Sequence, residues 1–231
     1  MEHQLVNTRY QERYNYTPIN RKQTKEGRKY VTPGGHAVAS VTTILEKTKS
    51  EEKKQALQEW RKRVGTVQAQ AITTEAASRG TSMHSHLEHW LVHNEVQNKS
   101  NLVHQHSAKM ATAIIDNYLN PYLDEWWGSE VGLYYPELYA GTTDLVGVYN
   151  GVPSIMDFKQ TNKPKKTEWI EDYFLQAAAY AAAHNAVHGT DIRQGVILMC
   201  SKDVEPQHWV VDLTEYEAKW FDKVWDYYSN H

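Results

Sequence analysis

The dipeptide Asn150-Gly151 constrains this chain more than any other feature. Asn-Gly is favoured in two-residue type I′ turns, whose left-handed backbone matches the twist of the strands they join. Runs with strand character flank it, Thr143 to Tyr149 and Val152 to Gln160, so the segment predicts a tight antiparallel hairpin. Opposed residues then carry numbers that sum to 301, starting with Tyr149 and Val152. Continued inward, the count sets Asp144 opposite Asp157, with Cβ atoms about 5 Å apart. The strand period of two puts Lys159 on the same face. Two opposed carboxylates repel, and a divalent cation between them would resolve the conflict. Oxygen ligands suit Mg²⁺ or Mn²⁺ better than zinc. The competing reading is a solvated face on which Lys159 neutralises both acids. Pro153 requires a position that does not donate to the ladder.

The rest of the chain supplies the setting. Residues 1–30 lack periodicity and read as an irregular arm, and Pro33-Gly34-Gly35 is a turn. Ser40 to Leu45 opens a short helix whose hydroxyl residues can cap backbone N–H groups or hold a phosphate. Helices follow over 50–64 and 66–94, the second with His84, Glu88 and Leu91 near one face. Another is predicted over 106–127, with a stripe of Met110, Ile114, Ile115, Tyr118, Leu119 and Leu123 and a kink at Pro121. Strands are expected over 131–139, 143–149, 152–160, 196–200 and 208–213. An Ala-rich helix spans 172–187, and a last helix begins at Thr214. This order predicts an α/β (α+β) fold, a central mixed sheet of about five strands flanked by helices with a helical N-terminal part. One domain over 1–231 is expected, with an arm and basic helices in 1–65 and the core in 66–231.

Composition narrows the chemistry. Cys200 is the only cysteine, which excludes an intrachain disulfide, a multi-cysteine zinc site and a four-thiolate cluster. Its apolar neighbours place it in a buried strand. Net charge is −3, yet residues 21–63 hold twelve Lys or Arg against five Glu, a local excess of seven positive charges. That asymmetry suits a phosphate partner met on one side; taken alone, it is better explained by a solvated mixed-charge helix. No apolar run reaches the length of a membrane span and Glu2, His3 and Gln4 follow Met1, so a soluble cytoplasmic protein without a membrane partner is expected.

Two pairs at helical spacing fall near the hairpin in chain order. His84 and Glu88 lie four apart, as do Gln176 and Tyr180. A lone helical His is usually a surface or satisfied core residue, and simple helix amphipathicity would explain Gln176 and Tyr180 alone. His89 and His93 do not form a His-Glu-x-x-His motif, and His104 and His106 stay unassigned.

In series, Arg79-Gly80-Thr81-x-x-His84-x-x-x-Glu88, Gly141-Thr-Thr-Asp144, Asp157-Phe158-Lys159 and Gln176-x-x-x-Tyr180 resemble the motifs of the PD-(D/E)xK nuclease superfamily, in its RecB-like branch. Ser40-Val-Thr-Thr-Ile-Leu45 is similar to the N-terminal motif of mitochondrial genome maintenance exonucleases and related phage exonucleases. Gly-Thr-Thr-Asp stands where the superfamily's name has Pro-Asp, and the cysteines of iron–sulfur members are absent. The resemblance implies a restriction-endonuclease-like core and a Mg²⁺-dependent (or Mn²⁺-dependent) exodeoxyribonuclease. Asp144, Asp157, His84 and the Phe158 carbonyl would hold the metal, and Lys159 would orient or deprotonate the attacking water. Gln176 and Tyr180 would position Lys159 or the DNA backbone. Glu88 would serve a second metal or hold His84, with Glu130 and Glu137 in support. Arg79, Ser40, Thr42 and Thr43 would contact phosphates, and Tyr30 and Trp60 would meet the strand or stack a base. The implied substrate is DNA, single-stranded or with free ends, in phage-type replication, recombination or repair in the host cytoplasm. A single-strand-binding or recombination protein would be a partner. The alternatives are a non-cleaving accessory protein with the same fold and an endonuclease of the same superfamily.

Overall fold

A computed structural model describes residues 7–25, 27–97 and 101–230. The hairpin forms around Asn150 and Gly151, both at positive φ (51° and 78°), as a type I′ turn requires. It joins β5 (Tyr139–Tyr149) to β6 (Val152–Thr161), and β4 (Leu123–Tyr135) lies antiparallel on the other edge of β5. The ladder between β5 and β6 runs from Tyr149↔Val152 to Leu145↔Met156, in the register the count of 301 predicts. Val148 faces Pro153 within it. Beyond β6, β7 (Gln194–Ser201) pairs in parallel and β8 (Pro206–Asp212) closes the edge antiparallel.

The five expected strands are thus present, and three more join them. Residues 20–40 form β1 (Asn20–Thr24), β2 (Gly27–Val31) and β3 (Ala37–Ser40), so the region read as an arm is partly sheet. The reason it reads as irregular is physical. Every residue of β1 is exposed and only Tyr30 of β2 is buried, so no apolar alternation marks them. β3 docks in parallel on β5 through Ala39↔Tyr139 and Ser40↔Ala140, which makes the N-terminal segment part of the same eight-stranded sheet.

Helices cover both faces. Four precede the long strands: α1 (Val41–Lys47), α2 (Glu51–Val64), α3 (Thr66–His93) and α4 (Leu102–Ile114). A π turn (Ile115–Leu119) and a short helical turn α5 (Asn120–Tyr122) end that run, so the helix expected to residue 127 stops earlier. Pro121 sits in α5, and Leu123, Trp126 and Trp127 are buried strand residues instead. α6 (Glu171–His188) and α7 (Thr214–Asn230) complete the set. Met83, Leu87, Met110 and Ile114 of α3 and α4 pack with Leu145, Met156 and Phe158 on one face. Ile44, Leu175 and Trp220 of α1, α6 and α7 pack with Val146 and Ile155 on the other. Each such buried side chain contributes roughly 1.5–3 kcal/mol of transfer free energy. Cys200 is buried and its thiol is pushed up to about 12 by burial, as an inert core position should be. Among the described residues no helix is long and apolar enough to cross a membrane.

Candidate metal and phosphate site

The site begins as a gap in the sheet. On the edge facing away from β4, β5 pairs with β3 at Tyr139 and Ala140 and with β6 from Leu145 onward. Gly141, Thr142, Thr143 and Asp144 lie between, and among the described residues no strand pairs with them on that edge. They are the Gly-Thr-Thr-Asp segment.

Side chains take over where the ladder stops. Asp144 Oδ2 accepts from the Phe158 backbone N–H at 2.7 Å, and His84 Nε2 donates to the Phe158 carbonyl at 2.9 Å. Both backbone groups of Phe158 are thereby satisfied on the side facing away from β7, where no strand pairs with it. With its proton on Nε2, a neutral His84 turns the Nδ1 lone pair toward Asp144 Oδ1, 3.6 Å away. Two electron-pair donors face each other there unless a proton or a cation lies between them.

Asp157 and Lys159 point from β6 toward α6. Lys159 Nζ forms an ion pair with Asp157 and lies 5.0 Å from the centre of the Tyr173 ring. Burial pushes the Asp157 carboxyl up to about 6 against the opposing pull of Lys159. Burial also works to lower Lys159, but the charges of Asp157 and Asp144 outweigh it and leave the ammonium above its usual range.

Two glutamates face the same centre. Glu88 is half-buried, and desolvation raises its carboxyl with further push from Asp144. Glu130 is pushed up to about 7 by desolvation and then by the charges of Asp144, Glu88 and Asp157. It lies on the exposed rim at φ 53°, a conformation unusual for a non-glycine residue and one that costs free energy to hold. His84, Glu130 and Asp144 each bring a donor atom to within 4.8 Å of the others. Four carboxylates thus meet one imidazole and one lysine. This surplus of negative charge with a nitrogen donor fits a divalent cation.

A cavity of about 410 Å³ is lined by His84, Glu130 and Asp144 together with Arg21, Arg28 and Thr42. The floor is Gly141 and Tyr180, whose hydroxyl accepts from Gln176 Nε2 at 3.2 Å. Gly141 is required there by contact, since a Cβ would lie 2.7 Å from Tyr180 Cε1. Arg28 Nε is buried with no hydrogen-bond partner among the described residues. Arg21 and Arg28 escape individual mention in the sequence because they belong to the strands that carry no apolar alternation; only the positive balance of residues 21–63 hints at them.

The remaining candidates divide. Ser40 and Thr42 both line the cavity, and Ser40 also caps α1 by accepting from Thr43 N at 3.0 Å. Thr43 Oγ1 is held by both backbone groups of Arg28, tying β2 to α1. Tyr30 lines the cavity but is only 4% exposed, and its hydroxyl lies 3.4 Å from Thr142 Oγ1. Arg79 is buried, and its guanidinium donates to Gln160 (3.1 Å), Glu75 (2.9 Å) and Asn162, which locks α3 to the end of β6. Trp60 on α2 is outside the cavity, and Glu137 pairs at the surface with His36 at 3.4 Å.

Over 213 residues the chain is 28% identical to Mitochondrial genome maintenance exonuclease 1 of Xenopus tropicalis, with 79% of this chain and 58% of the relative covered. The chain therefore spans less than two thirds of that relative's length. A crystal structure from Eubacterium rectale, described as a candidate exonuclease, superposes with a TM-score of 0.47 at 17% identity, covering 65% of this chain and 63% of that one. No protein-family model matches the chain.

Proposed function

We propose that this chain is a divalent-cation-dependent deoxyribonuclease of the PD-(D/E)xK type that removes nucleotides from DNA ends, with single strands as its preferred substrate. The observation that carries the reading is the convergence of Asp144, Asp157, Glu130 and Glu88 with His84 and Lys159 at the gap beside β5. A fold gains nothing from massing four carboxylates in a half-buried cleft, and Coulomb repulsion there is stronger than in water. The exonuclease named among its relatives supports the choice of DNA ends as substrate.

Asp144, His84 and Glu130 would hold the cation, with Asp157 beside them. Mg²⁺ or Mn²⁺ fits, and the imidazole favours Mn²⁺. Such an ion supplies cancellation of phosphoryl charge and a water of lowered pKa. Lys159, kept protonated by Asp157 and Asp144, orients the attacking water and balances charge on the phosphate rather than removing a proton. Arg21, Arg28 and Thr42, which line the same cavity, hold the phosphate, and Arg28 Nε has a hydrogen bond to give. Tyr180 and Gln176 fix the floor.

The test is direct. End-labelled single- and double-stranded oligonucleotides and a closed circle are incubated with Mg²⁺, with Mn²⁺ and with chelator. Shortening of linear DNA, absent with chelator and on circles, is the expected result. No cleavage with either ion overturns the enzyme reading, and circles cut as fast as linear DNA overturn the end-directed one.

A further inference from the structure

The segment leaving β6 beyond the site has a composition that the catalytic reading does not use. Lys163-Pro-Lys165-Lys166-Thr-Glu-Trp169 connects β6 to α6. Lys163, Lys166 and Trp169 are exposed, Trp169 at 60%. Among the described residues none of the three lysines has a carboxylate partner, and Glu168 is the only acid in the segment. Lys166 Nζ lies 5.4 Å from the centre of the Trp169 ring.

The segment is also held still. Gln207 clips both backbone groups of Lys165, accepting from its N–H at 2.8 Å and donating to its carbonyl at 3.0 Å. Trp209 Nε1 donates to Thr167 Oγ1 at 3.0 Å, and Lys202 N–H donates to the Thr161 carbonyl at 2.8 Å. An open groove of about 530 Å³ runs beside it, lined by Tyr118, Lys165, Lys166, His208 and Trp209. A rigid surface that offers unpaired ammonium groups and an exposed indole is matched in charge and shape to one class of partner. That partner is a flexible polyanion carrying flat bases. Trp169 is also four residues before Tyr173, whose ring lies against Lys159, so the surface adjoins the site.

We propose that residues 163–169, with the groove along β8, form a second contact surface for single-stranded nucleic acid, on which Trp169 stacks a base and Lys163, Lys165 and Lys166 follow the phosphates. It rests on reading the cavity as a nuclease centre and adds to it a preference for substrates long enough to span both places.

Anisotropy of labelled oligothymidylates of about 4 and about 20 nucleotides, in chelator so that nothing is cut, tests the surface apart from catalysis. Trp169→Ala is expected to weaken binding of the longer strand about tenfold and to leave the shorter one unchanged. Lys163→Ala with Lys166→Ala is expected to flatten the slope of log affinity against log salt by about 1.4, at ~0.7 for each phosphate no longer neutralised. An oligouridylate arm shows whether the surface takes RNA as well as DNA, and either pattern of dependence on Trp169 supports it. Binding of the long strand that is unaltered by Trp169→Ala, with the salt slope also unaltered, overturns the proposal and leaves a protein segment as the surface's partner. Cleavage with Mg²⁺ or Mn²⁺ is scored separately. An inactive wild-type protein would sink the nuclease reading, whereas the anisotropy series decides the surface in either case.

Discussion

Replacing Gly141 by alanine would set a methyl group 2.7 Å from Tyr180 Cε1 and 2.9 Å from its hydroxyl oxygen. Ordinary contact begins near 3.4 Å, so the ring must retreat by about 0.7 Å. Its room to move is limited on the helix side, since Tyr180 is 2% exposed and packed among Ala177, Ala179 and Ala183. Overpacking of this kind costs about 1–3 kcal/mol. In a chain of this size each kcal/mol moves the melting temperature by about 2–4 °C, so a fall of roughly 2–12 °C is expected. The sign is informative, because an unhindered Gly→Ala change inside a strand would stabilise by roughly 0.5–1 kcal/mol. Thermal melts in chelator of Gly141→Ala, Tyr180→Leu and the double variant measure the coupling. Leucine lacks both contacting atoms, so the alanine should cost almost nothing in that background. Gly141→Ala melting within a degree of wild type, or costing the same in both backgrounds, refutes the argument that Tyr180 dictates this glycine.

Three further outcomes follow from the electrostatics. Mg²⁺ or Mn²⁺ at ten times its Kd should stabilise the protein by about 1.4 kcal/mol, or about 3–6 °C. The carboxyls of Asp157 (about 6) and Glu130 (about 7) stand above their ordinary values near 4. Without the cation they weaken the fold as pH rises through that window. The cation's effect should therefore grow over the same window and be small near pH 5; a shift as large at pH 5 as at pH 7.5 contradicts the assignment. Lys159→Ala should abolish cleavage, leave DNA binding largely intact and destabilise the fold by about 3–5 kcal/mol at neutral pH, because Asp157 stays buried without its partner. Adding Asp157→Asn should restore most of that stability, and melts that show no such rescue would remove the ion pair from the account. Lastly, His184 is buried between Tyr16 (3.0 Å) and Thr190 (2.8 Å), and burial lowers its imidazole to about 3. Its contribution is intact above about pH 6.5 and is lost as pH falls, by about 1.4 kcal/mol per unit. The wild type should thus lose more stability than His184→Gln between pH 7.5 and pH 5, and parallel melting curves would contradict this.

How much of this was legible in the sequence depended on whether a residue's neighbours were local. Asn150-Gly151 set the hairpin register, and α3, α6 and α7 followed from a helical face, alanine content and the opening Thr214, because turn chemistry and helical faces are short-range. The extent of β4 was not legible. Trp126 and Trp127 continue an apolar pattern that suits a helix, and only the pairing of β4 along β5 makes them strand. Nor was β1, whose residues bury nothing and whose strand character comes only from pairing with β2. Within the site, Asp144, Asp157, Lys159, His84, Gln176 and Tyr180 were all named from spacing and resemblance. Arg28 was not named, and Arg79 gave no sign that Gln160 and Asn162 would claim its guanidinium.

The hairpin count placed Asp144 opposite Asp157 as members of one ladder, but the ladder ends one pair earlier, at Leu145↔Met156. That difference explains the site. Had the pairing continued, Thr143 would have met Phe158, and β6 would have filled the edge where the cavity now lies. Instead Phe158 gives its N–H to Asp144 and its carbonyl to His84, so the two side chains replace a strand. Backbone groups of a buried residue cannot be left unpaired at that cost, roughly 1–3 kcal/mol each. The parting of β5 from β6 and the placing of these donors are therefore one event. It follows that Asp144→Asn, which keeps an oxygen for the Phe158 N–H, should hold the gap open and preserve stability while removing the charge. Asp144→Ala should lose both. Equal melting temperatures for the two variants would show that the carboxylate has no part in keeping the strands apart.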